Sequence, residues 1–496
     1  MSPNYKRILL VHPLGASSEM AADDIARKAN LMPPLGLACI AAYLERAGYQ
    51  ADILDFNADP AAAQRLPAYI RDRRPSIVGL SCTTASFLDG IQLASDIKTL
   101  RPETRVVFGG PHVSALGPPL LEQFTVMDAS VIGEGEAVMA DLMKAEGDLD
   151  AWASVQGLVY RRHGNVQFNG VRTAQLPLDE LPFPAYEKLP GYPRRYTLPI
   201  FSYPKTPNAS CISSRGCPYE CSYCDRSVFG RTFRFNSPEY VYEHLSYLRR
   251  RFGIRHLNFY DDQFTLHRGR IAELMKKLID RPLGMTFNCA ARAEKLDLEL
   301  LALMKQAGCW MISLGIETGD PELLSKHRKQ GDLDMLRERI FEIKKSGIRV
   351  KGLVMLGLPG ETESTIRKSM DYVLSLPLND LNIAKFTPFP GTPLYQTIRE
   401  QGQFDEQWEK MDCMHFLFIP KGIQRDRLQA LFQLFYKSHF TRTRILFGYI
   451  AMLWKSPDSW LRFLKDIRSF LSFALSNRRW QTRNSDGNRI KIPPPI

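Results

Sequence analysis

Two runs of alternating strand and helix signals, parted by a stretch dense in proline, constrain this fold more than any other feature of the chain. The first run opens with Lys6-Arg-Ile-Leu-Leu-Val-His12. It continues through Ala51-Asp-Ile-Leu-Asp55, Ser76-Ile-Val-Gly-Leu-Ser81, Arg105-Val-Val-Phe-Gly-Gly110 and Ala129-Ser-Val-Ile-Gly133, with helical segments such as Leu35–Gly48 and Phe87–Leu100 between them. Strands that alternate with helices build a parallel sheet covered on both faces. Residues 1–150 are therefore expected to form a doubly wound α/β domain. Such sheets bind ligands beyond the C-terminal ends of their strands.

Gly157–Phe168 reads as a hairpin around a polar Gly-Asn turn. Eight prolines follow between residues 176 and 207. Prolines at that density exclude a helix interior or a central strand. Residues 151–207 are expected to be the hairpin and an extended linker whose Tyr and Phe rings pack on the neighbouring core. From Asn208 the alternation resumes, with strand signals at Ala209–Ser213, His256–Tyr260, Met285–Cys289, Trp310–Gly315, Val350–Leu356 and Leu381–Phe386. Six strand–helix units predict a partial (β/α)6 barrel over 208–420, with its site at the C-terminal strand ends.

The length of 496 residues allows two or three domains, and 44% hydrophobic with 24% charged residues is ordinary for a soluble globular chain. Met1–Arg7 runs into a strand pattern without the apolar core of a signal peptide. No apolar run reaches the roughly 18–20 residues that span a bilayer. A cytoplasmic location is expected. The net charge of +12 is uneven. Residues 421–496 hold 15 Lys/Arg against 4 Asp/Glu, which is +11, so the basic character belongs to a helical, partly apolar extension. Within it Ile445–Trp454 is almost devoid of polar side chains. It reads either as a helical cap that packs on the barrel and closes the active site, or as an interfacial membrane anchor. No nucleic-acid partner is expected, because Arg478–Arg483 is a short run with no RNA-binding module around it. Asn484–Ile496 is expected to be disordered.

Chemistry enters at Cys217-Pro-Tyr-Glu-Cys221-Ser-Tyr-Cys224, directly after the first strand of the second run. Three thiolates at this spacing can hold one face of a [4Fe–4S] cluster and leave its fourth iron open to a small molecule. A structural zinc site is the other reading, but zinc asks for four N/S ligands and a second Cys pair is missing. Cys211 is close enough to be considered as an extra ligand. Six of the nine cysteines lie scattered singly, which argues against disulfides and for a reducing compartment.

The cysteine spacing, with Tyr223 before the last Cys, resembles the signature of the radical S-adenosylmethionine (radical SAM) superfamily. That resemblance implies that Cys217, Cys221 and Cys224 ligate the cluster and that the open iron chelates SAM. It implies further roles on later strand ends. Asp261 or Asp262, in Tyr260-Asp-Asp-Gln-Phe264, would meet the SAM ammonium. Arg292 would steady the SAM carboxylate, Glu317 would hold ribose or amino groups, and Gly357 and Pro359 would lie near adenine. Each residue also has a plain reading: an N-cap for Asp261, an Arg292–Glu317 salt bridge, a turn at Pro359-Gly360.

The first domain resembles the flavodoxin-like cobalamin-binding domain of B12-dependent radical SAM enzymes, through Pro33-Pro-Leu-Gly-Leu37, Gly109-Gly-Pro-His112 and Gly133-Glu-Gly-Glu136. Cobalamin contacts are then implied for His12, Ser81, Thr83, Thr84, Gly109, Gly110, His112, Gly133, Glu134, Gly135 and Glu136. The Asp-x-His-x-x-Gly loop that ligates cobalt in many B12 proteins is absent, so no imidazole ligand is expected from that motif. A loop histidine bonded to backbone is the plain reading of His12 and His112, and a fold that has lost its cofactor is the plain reading of the whole domain.

Over about residues 5–420 the motif order is similar to the branch holding the oxygen-independent magnesium-protoporphyrin monomethyl ester cyclase and cobalamin-dependent radical SAM methyltransferases. The resemblance implies methylation of an unactivated carbon, with [4Fe–4S], SAM and cobalamin as cofactors and flavodoxin or ferredoxin as electron donor. Oxidative cyclisation of a tetrapyrrole-like substrate without methyl transfer, or a non-catalytic cofactor sensor, are the alternatives. The apolar tail favours a lipid-like or flat aromatic small-molecule substrate.

Overall fold

The computed structural model describes residues 4–15, 31–329, 331–465 and 467. The first sheet begins with β1 (Asn4–His12), β2 (Gln50–Asp55), β3 (Pro75–Ser81), β4 (Arg105–Gly109) and β5 (Ala129–Val131). These five run parallel in the order β2-β1-β3-β4-β5, the flavodoxin-type doubly wound order. Ile8, Leu9, Leu10 and Val11 of β1 are all buried, which is why this strand reads as a continuous apolar run rather than an alternating one.

The hairpin expected in the linker belongs to this sheet instead. Its strands β6 (Leu158–Arg162) and β7 (Asn165–Phe168) add antiparallel to β5 and make seven strands. The reason is edge protection. β5 is only three residues long, and pairing Ser130 with Val159 covers an edge that would otherwise expose unpaired backbone. The proline-rich stretch holds no helix interior and no strand; it has two short 3₁₀ turns and a further turn over residues 190–195. Its rings pack on the neighbouring elements: half-buried Phe183 stacks on His244 at 4.7 Å, and buried Tyr196 donates through Oη to Asp55 at 2.9 Å.

The second sheet is six-stranded and parallel. β8 (Asn208–Cys211) is followed by a small antiparallel pair, β9 (Ser214–Arg215) and β10 (Arg234–Phe235), and then by β11 (His256–Phe259), β12 (Thr286–Ala291), β13 (Cys309–Glu317), β14 (Arg349–Leu356) and β15 (Asp380–Lys385). The order β8-β11-β12-β13-β14-β15 leaves β8 and β15 unpaired with each other, so the barrel is open. Amphipathic helices such as Pro238–Phe252 and Glu363–Ser375 cover its outer face, each started by a side-chain cap, Ser237 and Thr362 respectively. A last hairpin, β16 (Gly402–Phe404) with β17 (Phe418–Pro420), precedes the tail.

The tail packs on the barrel without closing it over the cysteine loop. Helix Arg425–Phe440 lies against helix Glu363–Ser375 and β15. The following helices, Thr443–Ile450, Met452–Lys455 and Pro457–Lys465, meet the opposite end of the barrel. Tyr449 Oη donates to Asp380 at the start of β15, Arg444 to Leu376 O and Leu378 O just before it, and Ser456 Oγ to Tyr203 O ahead of β8. Arg478–Arg483 and Asn484–Ile496 lie outside the described residues.

Candidate active site between the two sheets

Cys217, Cys221 and Cys224 sit on the loop between β9 and β10, beyond the C-terminal end of β8. The two-residue ladder Ser214–Phe235 and Arg215–Arg234 closes that loop at its base. Gly216 makes the closure possible. It has φ +84°, and a Cβ there would lie 2.2 Å from Thr232 O. Thiolates are the ligating species. A hydrogen bond from Cys224 is the main cause that brings the Cys221 thiol down to about 6, and the charges of Lys329 and Arg292 help. Cys224 moves upward as the partner that keeps the proton, and burial raises Cys217. Among the described residues no three His, Cys, Asp or Glu side chains gather closely enough to hold one metal ion. A cubane instead gives each thiolate its own iron, and three thiols on one loop fit that demand. Cys211 is no fourth partner: it is buried in β8, with its Sγ 3.6 Å from His244 Nδ1.

Later barrel loops brace this loop from behind. Ser222 N donates to His327 O at 3.0 Å, and Ser222 Oγ meets His327 Nδ1 at 3.0 Å. His327 Nε2 in turn reaches Pro359 O at 2.9 Å. Leu394 N donates to Ser222 O, and a Cβ on Gly391 would lie 2.1 Å from Asp225 Oδ1. Tyr223 is packed inward beside Leu358 and Phe386, its ring 6.2 Å from His327.

The residues expected to meet SAM divide into two groups. Asp261 is fully enclosed and accepts from Ser213 N, Ser213 Oγ and Ser214 Oγ at 2.6, 2.6 and 2.7 Å. Its carboxylate is spent on fixing the exit of β8 against β11 and is not free for an ammonium. Asp262 has an accessible side chain, and the partial loss of water around its carboxyl together with the neighbouring Asp261 charge raises its pKa. Arg292 is buried, 3.9 Å over the Tyr219 ring and paired with Glu294. Glu317 has φ +65° at a register shift between β13 and β14, a strained conformation that turns its carboxylate to Lys329 at 3.2 Å. Arg292 and Glu317 thus have separate partners and form no salt bridge together. The Gly357 N–H is taken by the Glu361 carboxylate, which also accepts from Leu358 N at 3.3 Å. Glu361 is fully buried with its other oxygen unpartnered, and burial lifts its pKa to about 8.

A cleft with about 1180 Å³ of space, including its open mouth, lies between the first sheet and the cysteine loop. Ser81, Gly109, Gly110, Gly133, Glu134, Gly135 and Glu136 line it on one side, and Ile212, Arg215, Val228 and Phe229 on the other. Gly110 has φ +101° and no room for a Cβ, which would meet Cys82 O at 2.5 Å. The carboxylates of Glu134 and Glu136 are committed across the cleft: both pair with Arg215, and Glu134 also with Arg234. Four expected contacts lie elsewhere. His12 is held by Asp55 at 3.0 Å, and Thr83 bonds Ser86 at 3.2 Å. Thr84 meets His112 at 3.3 Å. His112 is buried between Phe87 and Trp408, ring centroids 4.3 and 4.6 Å away, and burial lowers its pKa to about 4. Among the described residues His244 is the histidine lining the cleft, and Tyr186 and Cys211 already engage its ring nitrogens. A deep, largely apolar, glycine-floored cleft without a free imidazole fits a large macrocycle bound with no protein nitrogen below it.

The sequence matches the family described as Radical SAM superfamily over residues 211–373, and the B12 binding domain over residues 23–143. This chain is a B12-binding radical SAM protein.

This radical SAM protein is 27% identical over 416 residues to the uncharacterized methyltransferase PH0819 of Pyrococcus horikoshii, spanning 84% of this chain and 89% of that one. It is 27% identical over 432 residues to the anaerobic magnesium-protoporphyrin IX monomethyl ester cyclase of Rubrivivax gelatinosus, spanning 85% and 75%. Its fold is that of the radical SAM methyltransferase TsrM from Kitasatospora setae, solved with cobalamin and a [4Fe–4S] cluster, at TM-score 0.65 and 20% identity over 80% of this chain and 75% of that one. In this radical SAM protein three supporting residues escaped sequence reasoning: Arg215, His327 and Trp408. Arg215 sits two residues before Cys217 and could have been suspected from that position alone. His327 and Trp408 carry no local signal.

Proposed function

We propose that this enzyme transfers a methyl group to an unactivated carbon of a small, hydrophobic metabolite, using SAM, a [4Fe–4S] cluster and cobalamin. When bound, the cluster and SAM supply a 5′-deoxyadenosyl radical that abstracts hydrogen, and cobalamin supplies the methyl group. One observation carries the reading: the cluster loop is a wall of the cleft. Arg215 and Val228-Phe229, on either side of Cys217–Cys224, line the same space as Gly109, Gly110 and Gly133. Two reactive centres that must act in turn on one substrate carbon need such a shared chamber.

The chain's own part is to hold and to exclude. Cys217, Cys221 and Cys224 bind the cluster. Lys329 and Arg292 supply positive charge beside Cys221 and favour its thiolate. Asp262, Arg292 and Glu317 stand on successive strand ends for the polar groups of SAM. The apolar cleft walls keep water from a radical. The last three tail helices lie on the far side of the barrel, so the substrate's hydrophobic character rests on the cleft walls and not on them. Flavodoxin or ferredoxin supplies the electron, and we place the enzyme in the cytoplasm in peripheral contact with a membrane.

Similarity to the cyclase favours a second reading, oxidative cyclisation of a tetrapyrrole-like substrate without methyl transfer. SAM labelled in its methyl group separates the two. Label in the product supports methylation; turnover without label supports cyclisation. Cys217→Ala, Cys221→Ala and Cys224→Ala should each abolish formation of 5′-deoxyadenosine. Cleavage that survives in any of the three would overturn the assignment.

A further inference from the structure

The three short tail helices turn one side to the barrel and the other to solvent. Inward, Ile445, Met452 and Ser459 are buried. Tyr449, Trp460 and Phe463 ring Phe201, with centroids 5.1, 5.3 and 6.0 Å away. Outward, Phe447 is 69% and Trp454 78% exposed. Leu446, Ile450 and Leu453 are exposed with them at helical spacing, and Leu461 and Leu464 continue the pattern on the last helix. Other exposed large apolar residues, such as Leu298, Phe341 and Met414, lie singly on separate elements. A gathered apolar surface marks something that covers it.

The charges around it say what. From Arg442 to Lys465 the chain has five cations, Arg442, Arg444, Lys455, Arg462 and Lys465, against one acid, Asp458. That acid is tied to Thr206. Lys344 of the barrel joins the group: burial, then the charges of Arg349, Arg444 and Lys455, lower its pKa to about 8. An apolar stripe set among cations complements an anionic bilayer, with negative headgroups over an apolar interior. The longest of the three helices has nine residues, and no described helix is long and apolar enough to cross a membrane. These helices suit an in-plane position.

Their anchor points are at the N-terminal ends of the barrel strands: Asp380 opens β15, and Tyr203 and Thr206 precede β8. The cysteine loop lies beyond the other ends. With β14 eight residues long at about 3.3 Å per residue, the two faces stand roughly 26 Å apart. We propose that the face carrying Phe447 and Trp454 seats the enzyme on an anionic membrane surface, with the cysteine loop and the cleft turned away from the lipid. The bilayer then tethers the enzyme and does not feed substrate into the barrel from below. The proposal builds on the peripheral contact named above and is independent of the chemistry at the cluster.

The test is sedimentation of the full-length holoenzyme with vesicles. Binding is expected to phosphatidylcholine vesicles containing phosphatidylglycerol and to be weak with phosphatidylcholine alone. Phe447→Ser with Trp454→Ser should weaken partitioning by about tenfold or more, since each removes a large buried-on-docking side chain. Lys455→Glu with Lys465→Glu should weaken it by at least about 25-fold, from about fivefold for each basic residue lost. Both variants should cleave SAM at the wild-type rate, which also shows them folded. Equal binding to both vesicle types, or partitioning untouched by either pair, overturns the proposal. So does a dimer in size-exclusion chromatography that the Phe447/Trp454 pair breaks without altering vesicle binding, because a second copy would then be the cover. Vesicle binding lost on removing residues 468–496 but kept by the Phe447/Trp454 pair overturns it as well. Failure of the methylation reading would leave every vesicle result unchanged.

Discussion

Replacing Arg215 by Met should loosen the joint between the two sheets and do so in a pH-dependent way. Arg215 is nearly buried and pairs with Glu136 at 2.7 Å and with Glu134. Burial alone would lower its pKa; the charges of Glu136 and Glu134 outweigh that and drive it up. Arg234 still neutralises Glu134 in the variant, so Glu136, 5% exposed, is the group left alone. Breaking a buried pair by removing one partner costs about 3–5 kcal/mol. The stranded carboxyl can escape by binding a proton. From an ordinary glutamate value near 4.3 that escape costs about 3.7 kcal/mol at pH 7 and about 1 kcal/mol at pH 5. The expected loss is therefore about 3–4 kcal/mol at pH 7, shrinking to about 1 kcal/mol at pH 5. Urea titration of the apoprotein at the two pH values measures it through the midpoint of the first transition at constant slope. Arg215→Met with Glu136→Gln should recover all but about 1 kcal/mol, since no charge is left stranded. Cobalamin retention after anaerobic purification should fall in the single variant and partly return in the double one. A loss below about 1 kcal/mol at pH 7, or one equal at both pH values, would refute the reasoning.

Glu361→Gln tests a second buried carboxyl. Its folded pKa of about 8 lies above the ordinary value, so the wild type loses stability as pH rises from about 4.5 through 8, by up to roughly 5 kcal/mol; the amide should remove that slope, and thermal melts at pH 5 and 9 would show it. Gly391→Ala should push Asp225 off Ser227, whose N–H it accepts at 2.8 Å, and lower iron content after reconstitution by disturbing the cysteine loop; unchanged iron would show the loop to be indifferent to that contact. His327→Ala severs the bridge from Ser222 to Pro359 and should lower iron content and SAM cleavage together, whereas cleavage lost with iron retained would give His327 a role beyond supporting the loop.

The sequence by itself determined what short covalent spacing determines. Cys217, Cys221 and Cys224 share one loop because three and two intervening residues leave them little choice, and the order of apolar runs and turn residues sets two parallel sheets one after the other. Tertiary structure decided how side chains were spent. Asp261 and Asp262 are neighbours in the chain, yet the segment leaving β8 claims the first for Ser213 and Ser214 and leaves the second accessible. Glu134 and Glu136 carry the same charge in any context, but only packing brings Arg215 and Arg234 to them from 79 to 100 residues away. The hairpin at Leu158–Phe168 was legible as a hairpin, and its membership of the sheet was not, because a three-residue β5 gives no local sign of an unprotected edge. The tail was legible as apolar and basic, and only the contacts of its last helices at Asp380 and Tyr203 place those helices at the far end of the barrel. A motif fixes which groups can react; partners distant in sequence fix which of them remain free to do so, because burial and charge act through space and not along the chain.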